Sequence, residues 1–222
     1  MKGNQRLYYR FRGARYYGGI ATADAVGCSF LCAYCWNYYR NLNPARFHNF
    51  YSPHQGASKL LDIARKKSYR LFRISGAEPL IGESSFSHLL EVLKIIGRKQ
   101  PRALFILETN GLFLGTRPDL VAQMNYTQLR VRVCLKGVDE ESFQRVTGAR
   151  KEYFSYPLEA LREMEKQNIE AWPALMGDLF TMEQIHGLEQ KIKDFGIHSS
   201  LELEGLEPYP FVIKNMKKRK LI

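Results

Sequence analysis

The chain has 222 residues, 45% hydrophobic and 13% aromatic, which suffices for one substantial core and is too apolar for a disordered segment. Its net charge of +11 sits at the ends: residues 1–46 carry seven Lys or Arg against one acid, residues 214–220 add five more, and 47–213 balance at 21 of each sign. No apolar run could span a bilayer, the start is polar and basic, and four cysteines grouped three and one form no disulfide framework, so a cytoplasmic protein without membrane attachment is expected.

Residues 1–19 read as a basic N-terminal arm in which Arg6, Arg10, Arg12 and Arg15 interleave with Tyr8, Tyr9, Phe11, Tyr16 and Tyr17. Two uses fit: phosphate contact with base stacking on RNA, or an edge strand that packs its rings and solvates its arginines, the second being preferred. Residues 20–26 form a short apolar strand, and 40–52 a connection without period. Ala57, Leu60, Leu61 and Ala64 recur at helical spacing, predicting a helix over 55–67. A strand over 69–75 ends in a Gly76–Pro79 turn, and a helix over 85–97 follows with Gly97 as its stop. Beyond it come a strand at 103–109, a short helix at 116–124, an alternating strand at 129–135 and helices at 139–146 and 157–167. A strand at 169–175, a helix at 181–195 with Thr181 as N-cap, and a strand at 200–206 complete the body. Residues 208–222 read as a basic, solvated tail.

Six strands alternating with helices predict an α/β fold: a parallel sheet with right-handed crossovers, about six βα units forming a partial TIM-type barrel over 20–207. Loops at the carboxyl ends of such strands carry the chemistry. The least accidental stretch lies in one of them. Cys28, Cys32 and Cys35 are spaced CxxxCxxC just after the first body strand. Three local thiolates suit an iron–sulfur or zinc centre but leave it one ligand short, so an open metal position is implied.

This loop resembles the cluster motif of the radical S-adenosylmethionine (SAM) superfamily, including the aromatic Tyr34 and Asn37 that flank the third cysteine. Ser75–Gly76–Ala77–Glu78–Pro79 is similar to the family's GGEP segment, with Ala77 in place of the usual second glycine. The resemblance implies that Cys28, Cys32 and Cys35 hold a [4Fe-4S] cluster, whose remaining iron takes SAM. It further implies that Ser75, Gly76, Ala77, Glu78 and Pro79 lie along SAM, and that a flavodoxin or ferredoxin supplies electrons. Glu108–Thr109–Asn110–Gly111 looks like a SAM-ribose segment, the alternative being a strand-ending turn. On the 129–135 strand the period of two opposes Val131, Val133 and Leu135 to Arg130, Arg132, Cys134 and Lys136. Lys136 is then a candidate partner of the SAM carboxylate, and Arg132 either a substrate ligand or an ion pair of Glu202 or Glu204. Cys134 is a fourth-ligand candidate or a small core filler, and Trp172 an adenine wall or core. The five histidines show no ligand spacing.

The region from Leu135 to Ala149 resembles glycyl-radical-enzyme activases more loosely. The expected function is reductive cleavage of SAM to a 5′-deoxyadenosyl radical for hydrogen abstraction, on a protein in the activase manner. Alternatives are radical modification of RNA or a nucleobase-like small molecule, or a non-enzymatic zinc or iron–sulfur module.

Overall fold

A computed structural model describes all residues, 1–222. Its strands are β1 (Arg6–Ala14), β2 (Ile20–Ala25), β3 (Phe50–Tyr51), β4 (Leu71–Ser75), β5 (Leu104–Thr109), β6 (Leu129–Leu135), β7 (Ala171–Met176) and β8 (Glu202–Glu204). The helices are α1 (Tyr38–Leu42), α2 (Pro53–Lys67), α3 (Glu83–Lys99), α4 (Leu112–Thr116), α5 (Glu140–Thr147), α6 (Tyr156–Lys166), α7 (Met182–Asp194) and α8 (Pro210–Lys218). The sheet order is β3-β1-β2-β4-β5-β6-β7-β8, open at β3 and β8. Pairing is parallel for β2 with β4, β4 with β5 and β7 with β8, and antiparallel for β1 with both β2 and β3. The α/β class and the mostly parallel, unclosed sheet are therefore as expected, and β1 and β3 are antiparallel additions.

The chain resolves into two interleaved compact units. The first holds Met1–Cys28, Arg40–Thr109 and Met124–Val131. Here β1 is an internal strand of the sheet, so residues 6–14 are not a free arm. Tyr8 and Phe11 pack with Tyr51, and Lys59 of α2 lies over the Phe11 ring. The helix α2 starts early because Ser52 and Gln55 cap each other's backbone amides and Pro53 opens its first turn. The helix α3 runs through Gly97 rather than ending there; that glycine lies against the end of the Gln128 side chain. It stops at Lys99, one residue short of the position before Pro101 that disfavours helix.

The second unit holds Ser29–Tyr39, Asn110–Gln123 and Arg132–Ile222. The helix expected at 116–124 is displaced: α4 begins at Leu112 after Gly111, and Pro118 opens a 3-10 turn over Pro118–Met124. Helices α4 and α6 approach so closely that a Cβ on Gly115 would strike the Tyr156 backbone. Thr181 and Gln184 form the capping box of α7. The expected solvated tail is instead α8. Its Val212 and Met216, one helical turn apart, are fully buried in a cluster with Ala33.

Candidate functional site

In the first unit, β2 delivers the chain to Cys28 through Val26 and Gly27. Arg6, 2% exposed, braces this delivery. Its Nη1 donates to the Val26 carbonyl at 2.8 Å, and its Nη2 to the carbonyls of Gly27 at 3.3 Å and Glu78 at 2.8 Å. One guanidinium thus ties the approach to Cys28 to the GGEP-like segment. Asn41 adds a second tie: its Oδ1 accepts from Gly27 N at 3.1 Å and its Nδ2 donates to Gly76 O at 3.4 Å. Burial lowers the Arg6 pKa, opposed by the nearby Tyr8, Glu78 and Cys28. The sequence reading missed Arg6, having placed it among solvated arm arginines.

Gly76 has φ +81°, and a Cβ there would sit 3.1 Å from the Ala25 carbonyl, so glycine is required where this segment crosses the end of β2. Ser75 and Ala77 are half-buried, and Glu78 and Pro79 buried. The Glu78 carboxylate is committed within the protein: Oε1 accepts from Thr109 Oγ1 at 2.6 Å and from Leu80 N at 3.0 Å. Glu108 accepts at Oε1 from Arg73 Nη1 at 2.7 Å and from the Tyr17 hydroxyl at 2.9 Å. Glu78 and Thr109, both assigned to SAM from sequence, are therefore partners of each other, while Glu108 belongs to a network with Arg73.

In the second unit, Cys32 and Cys35 lie on a loop pinned by its backbone. Leu31 N donates to Thr147 O at 3.1 Å and Ala33 N to Val146 O at 2.8 Å. Cys35 N donates to Cys32 O at 3.0 Å, which closes the turn between the two thiols. The ring of Phe30 meets Phe143 edge-on at 5.3 Å, and Arg219 Nη1 donates to Val146 O at 2.8 Å. Ala33, between the cysteines, is 0% exposed beneath α8.

Lys136 Nζ lies 5.5 Å from the centre of the Tyr34 ring. Burial acts to lower the Lys136 pKa, but Tyr34, Cys134, Cys32 and Glu204 outweigh it and the net direction is upward. Burial likewise raises the Tyr34 hydroxyl. Tyr34, Cys32 and Lys136 are thus neighbours. Asn37 is buried, and Asn110 Oδ1 accepts from Leu112 N at 3.0 Å, turning the chain into α4.

Arg132 takes the ion-pair alternative. Its Nε and Nη2 donate to Glu202 at 3.0 and 3.1 Å, its Nη2 lies 2.8 Å from Glu204, and its Nη1 lies 3.3 Å from Cys134 Sγ. Trp172 joins this network, its indole N–H donating to Glu202 at 2.5 Å.

All four cysteines are unbridged thiols. No three His, Cys, Asp or Glu side chains gather about one point as a single ion needs. Free thiols are nonetheless the donors that an iron–sulfur cubane takes, one thiolate for each of several irons rather than all on one ion. The family model of the radical SAM superfamily matches residues 24–192.

The chain belongs to the radical SAM superfamily.

Solved radical SAM structures share the fold. Streptococcus suis SuiB bound to S-adenosylmethionine superposes with TM-score 0.64 at 14% identity, over 84% of this chain and 41% of SuiB. The same enzyme bound to its precursor peptide SuiA gives 0.63 at 13% identity, over 89% and 46%. The anSMEcpe structure with bound AdoMet gives 0.56 at 19% identity, over 87% and 53%. The chain therefore spans about half or less of the length of these proteins. No curated protein matches it in sequence. Radical SAM membership implies SAM and an iron–sulfur cluster as the cofactors, and no helix is long and apolar enough to cross a membrane.

Proposed function

We propose that this radical SAM protein is an enzyme that cleaves SAM reductively and abstracts a hydrogen atom from a peptide or protein. The observation that carries the reading is the pinned CxxxCxxC loop within the radical SAM match. When bound, a [4Fe-4S] cluster and SAM would supply one-electron reductive chemistry at the sulfonium.

The residues of the chain have separate tasks in this reading. Cys28, Cys32 and Cys35 hold the cluster. Arg6 and Asn41 keep the approach to Cys28 in register with Gly76 and Glu78. Ser75, Gly76, Ala77 and Pro79 offer backbone groups to SAM. Glu78 and Thr109 act together, the threonine orienting the carboxylate, with Asn110 shaping the adjoining turn and Asn37 the exit from the cysteine loop. Tyr34 and Lys136 place a cation beside Cys32, suited to the SAM carboxylate. Glu108 shapes the floor through Arg73.

Peptide or protein is preferred over RNA for two reasons. SuiB, whose fold this chain shares, has been solved with a precursor peptide. Arg6, part of the main support for RNA, is buried and donates to the Val26 and Glu78 carbonyls within the protein. An activase-like role is one form of this reading. Electrons come from an acidic carrier of the flavodoxin or ferredoxin kind, for which α8 offers exposed Lys214, Lys217 and Lys218 on the helix that covers Ala33.

Anaerobic reconstitution with iron and sulfide, followed by dithionite and SAM, should yield a brown protein and 5′-deoxyadenosine. A colourless protein that binds zinc stoichiometrically and leaves SAM intact would overturn the proposal.

A further inference from the structure

The strand β1 is doubly apolar on one side and doubly cationic on the other. Tyr8 and Phe11 share the side covered by α2 and α3: the Tyr8 hydroxyl meets His88 at 2.9 Å, and Phe11 lies under Lys59. A register shift between Tyr8 and Arg10 keeps those two rings on one face despite their odd spacing. Arg10 and Arg12 consequently project from the other face, opposite Asp24 and Thr22 of β2.

Asp24 is 0% exposed and serves both arginines. Arg12 grips it with two donors, Nε at 2.7 Å and Nη2 at 3.2 Å, and Arg10 with Nε alone at 2.7 Å. One carboxylate against two guanidiniums leaves one positive charge unmatched. On the same stretch of sheet Arg73 already has its own partner in Glu108 at 2.7 Å. Arg10 Nη1 and Nη2 and Arg12 Nη1 make no hydrogen bond within the protein, and the two side chains are 47% and 25% exposed. These donors are fixed in direction by the buried aspartate and still reachable. The Tyr9 ring forms a wall, with Arg10 stacked at 5.5 Å and Arg40 at 4.9 Å.

We propose that Arg10 and Arg12, held by Asp24, form a carboxylate-binding subsite for an acidic side chain of the peptide substrate, an inference that rests on the peptide reading above. A planar guanidinium with two open N–H groups matches a carboxylate bidentately, and prior orientation by Asp24 removes much of the ordering cost. Asp24 lies near the carboxyl end of β2, four residues before Cys28, where parallel α/β folds take their ligands. A single unmatched charge beside a buried aspartate suits one carboxylate. RNA instead needs a run of exposed cations along its backbone, and Arg6 is withdrawn from such a run, being 2% exposed.

The test uses the cluster-reconstituted full chain with three fluorescein-labelled probes: a peptide of alternating Ala and Glu, its Ala and Gln counterpart, and a short single-stranded RNA. The Glu peptide should bind at least about tenfold tighter than the Gln peptide, with salt weakening the difference, and Arg10→Gln should erase most of it. Arg10→Gln is chosen because Arg12 still satisfies Asp24 through two bonds. If its melting temperature falls below that of the wild type, Arg10→Lys serves instead, keeping the charge without the fork and retaining part of the preference. Equal binding of the two peptides, a preference untouched in both variants, or displacement of the Glu peptide by RNA overturns the subsite. Formation of 5′-deoxyadenosine by the wild type, measured without peptide, separately decides the radical SAM reading, so the two failures are distinguishable.

Discussion

Acid should loosen β1 through a single histidine. His88 of α3 is 1% exposed, with Nδ1 2.7 Å from the Asn4 carbonyl and Nε2 2.9 Å from the Tyr8 hydroxyl. A carbonyl only accepts, so Nδ1 carries the hydrogen, and the neutral ring accepts the Tyr8 proton at Nε2. Burial, reinforced by Arg6 and opposed by the Asn4 carbonyl and Glu91, lowers the His88 pKa from 6.5 to about 4. Below pH 6.5 the unfolded chain binds this proton while the folded chain refuses it until about pH 4. Its contribution is therefore complete above pH 6.5 and lost as the pH falls to about 4. At about 1.4 kcal/mol per pH unit, the loss is roughly 3 kcal/mol, a large share of a typical domain's stability. Urea unfolding of the wild type and of His88→Gln, followed by far-UV circular dichroism at about pH 7.5, 5.5 and 4, isolates the effect because the carboxylates titrate alike in both. The stability difference between the two proteins should shrink by roughly 3 kcal/mol over that range. Parallel profiles would refute the reasoning. Since Arg6 lies between Asn4 and Tyr8, the Val26 and Gly27 carbonyls should lose their donor in the same window, with faster amide exchange nearby.

Other consequences are equally direct. Cys32→Ala should lose both the brown chromophore and 5′-deoxyadenosine formation, and a retained chromophore would refute its place as a cluster ligand. Thr109→Val removes the 2.6 Å donor to the buried Glu78 carboxylate and should cost ~2 kcal/mol in a urea titration while weakening SAM binding by calorimetry. Gly115→Ala forces a Cβ into the Tyr156 backbone and should destabilise by ~3 kcal/mol; a change within error would mean that α4 and α6 can separate freely. Lys217→Glu with Lys218→Glu should slow turnover driven by an acidic flavodoxin several-fold and leave dithionite-driven turnover unchanged; equal slowing of both would remove α8 from electron delivery.

Most of the body strands were legible because they are apolar or alternating stretches bounded by turn residues, and α7 because Thr181 and Gln184 lie close in sequence. Arg132 was half-legible: the period of two turns it toward Glu202 and Glu204, but only the folded register shows that both accept from it. The role of β1 was hidden because alternating arginines look solvated when their counter-charge, Asp24, lies on another strand. The helix α8 was hidden because two buried apolar residues among three lysines are a weak stripe. In the site, the three cysteines announced themselves by spacing. The braces from Arg6 to residues 26, 27 and 78, and from Thr109 to Glu78, join segments more than 19 residues apart and leave no local pattern.

The cover that α8 lays over Ala33 orders events during synthesis. Translation produces the three thiols early, yet the residues that close over their loop emerge some 180 positions afterwards. The backbone around Ala33 therefore gains its final packing only once α8 has been made, while Cys28 and Cys35 stay partly exposed in the finished fold.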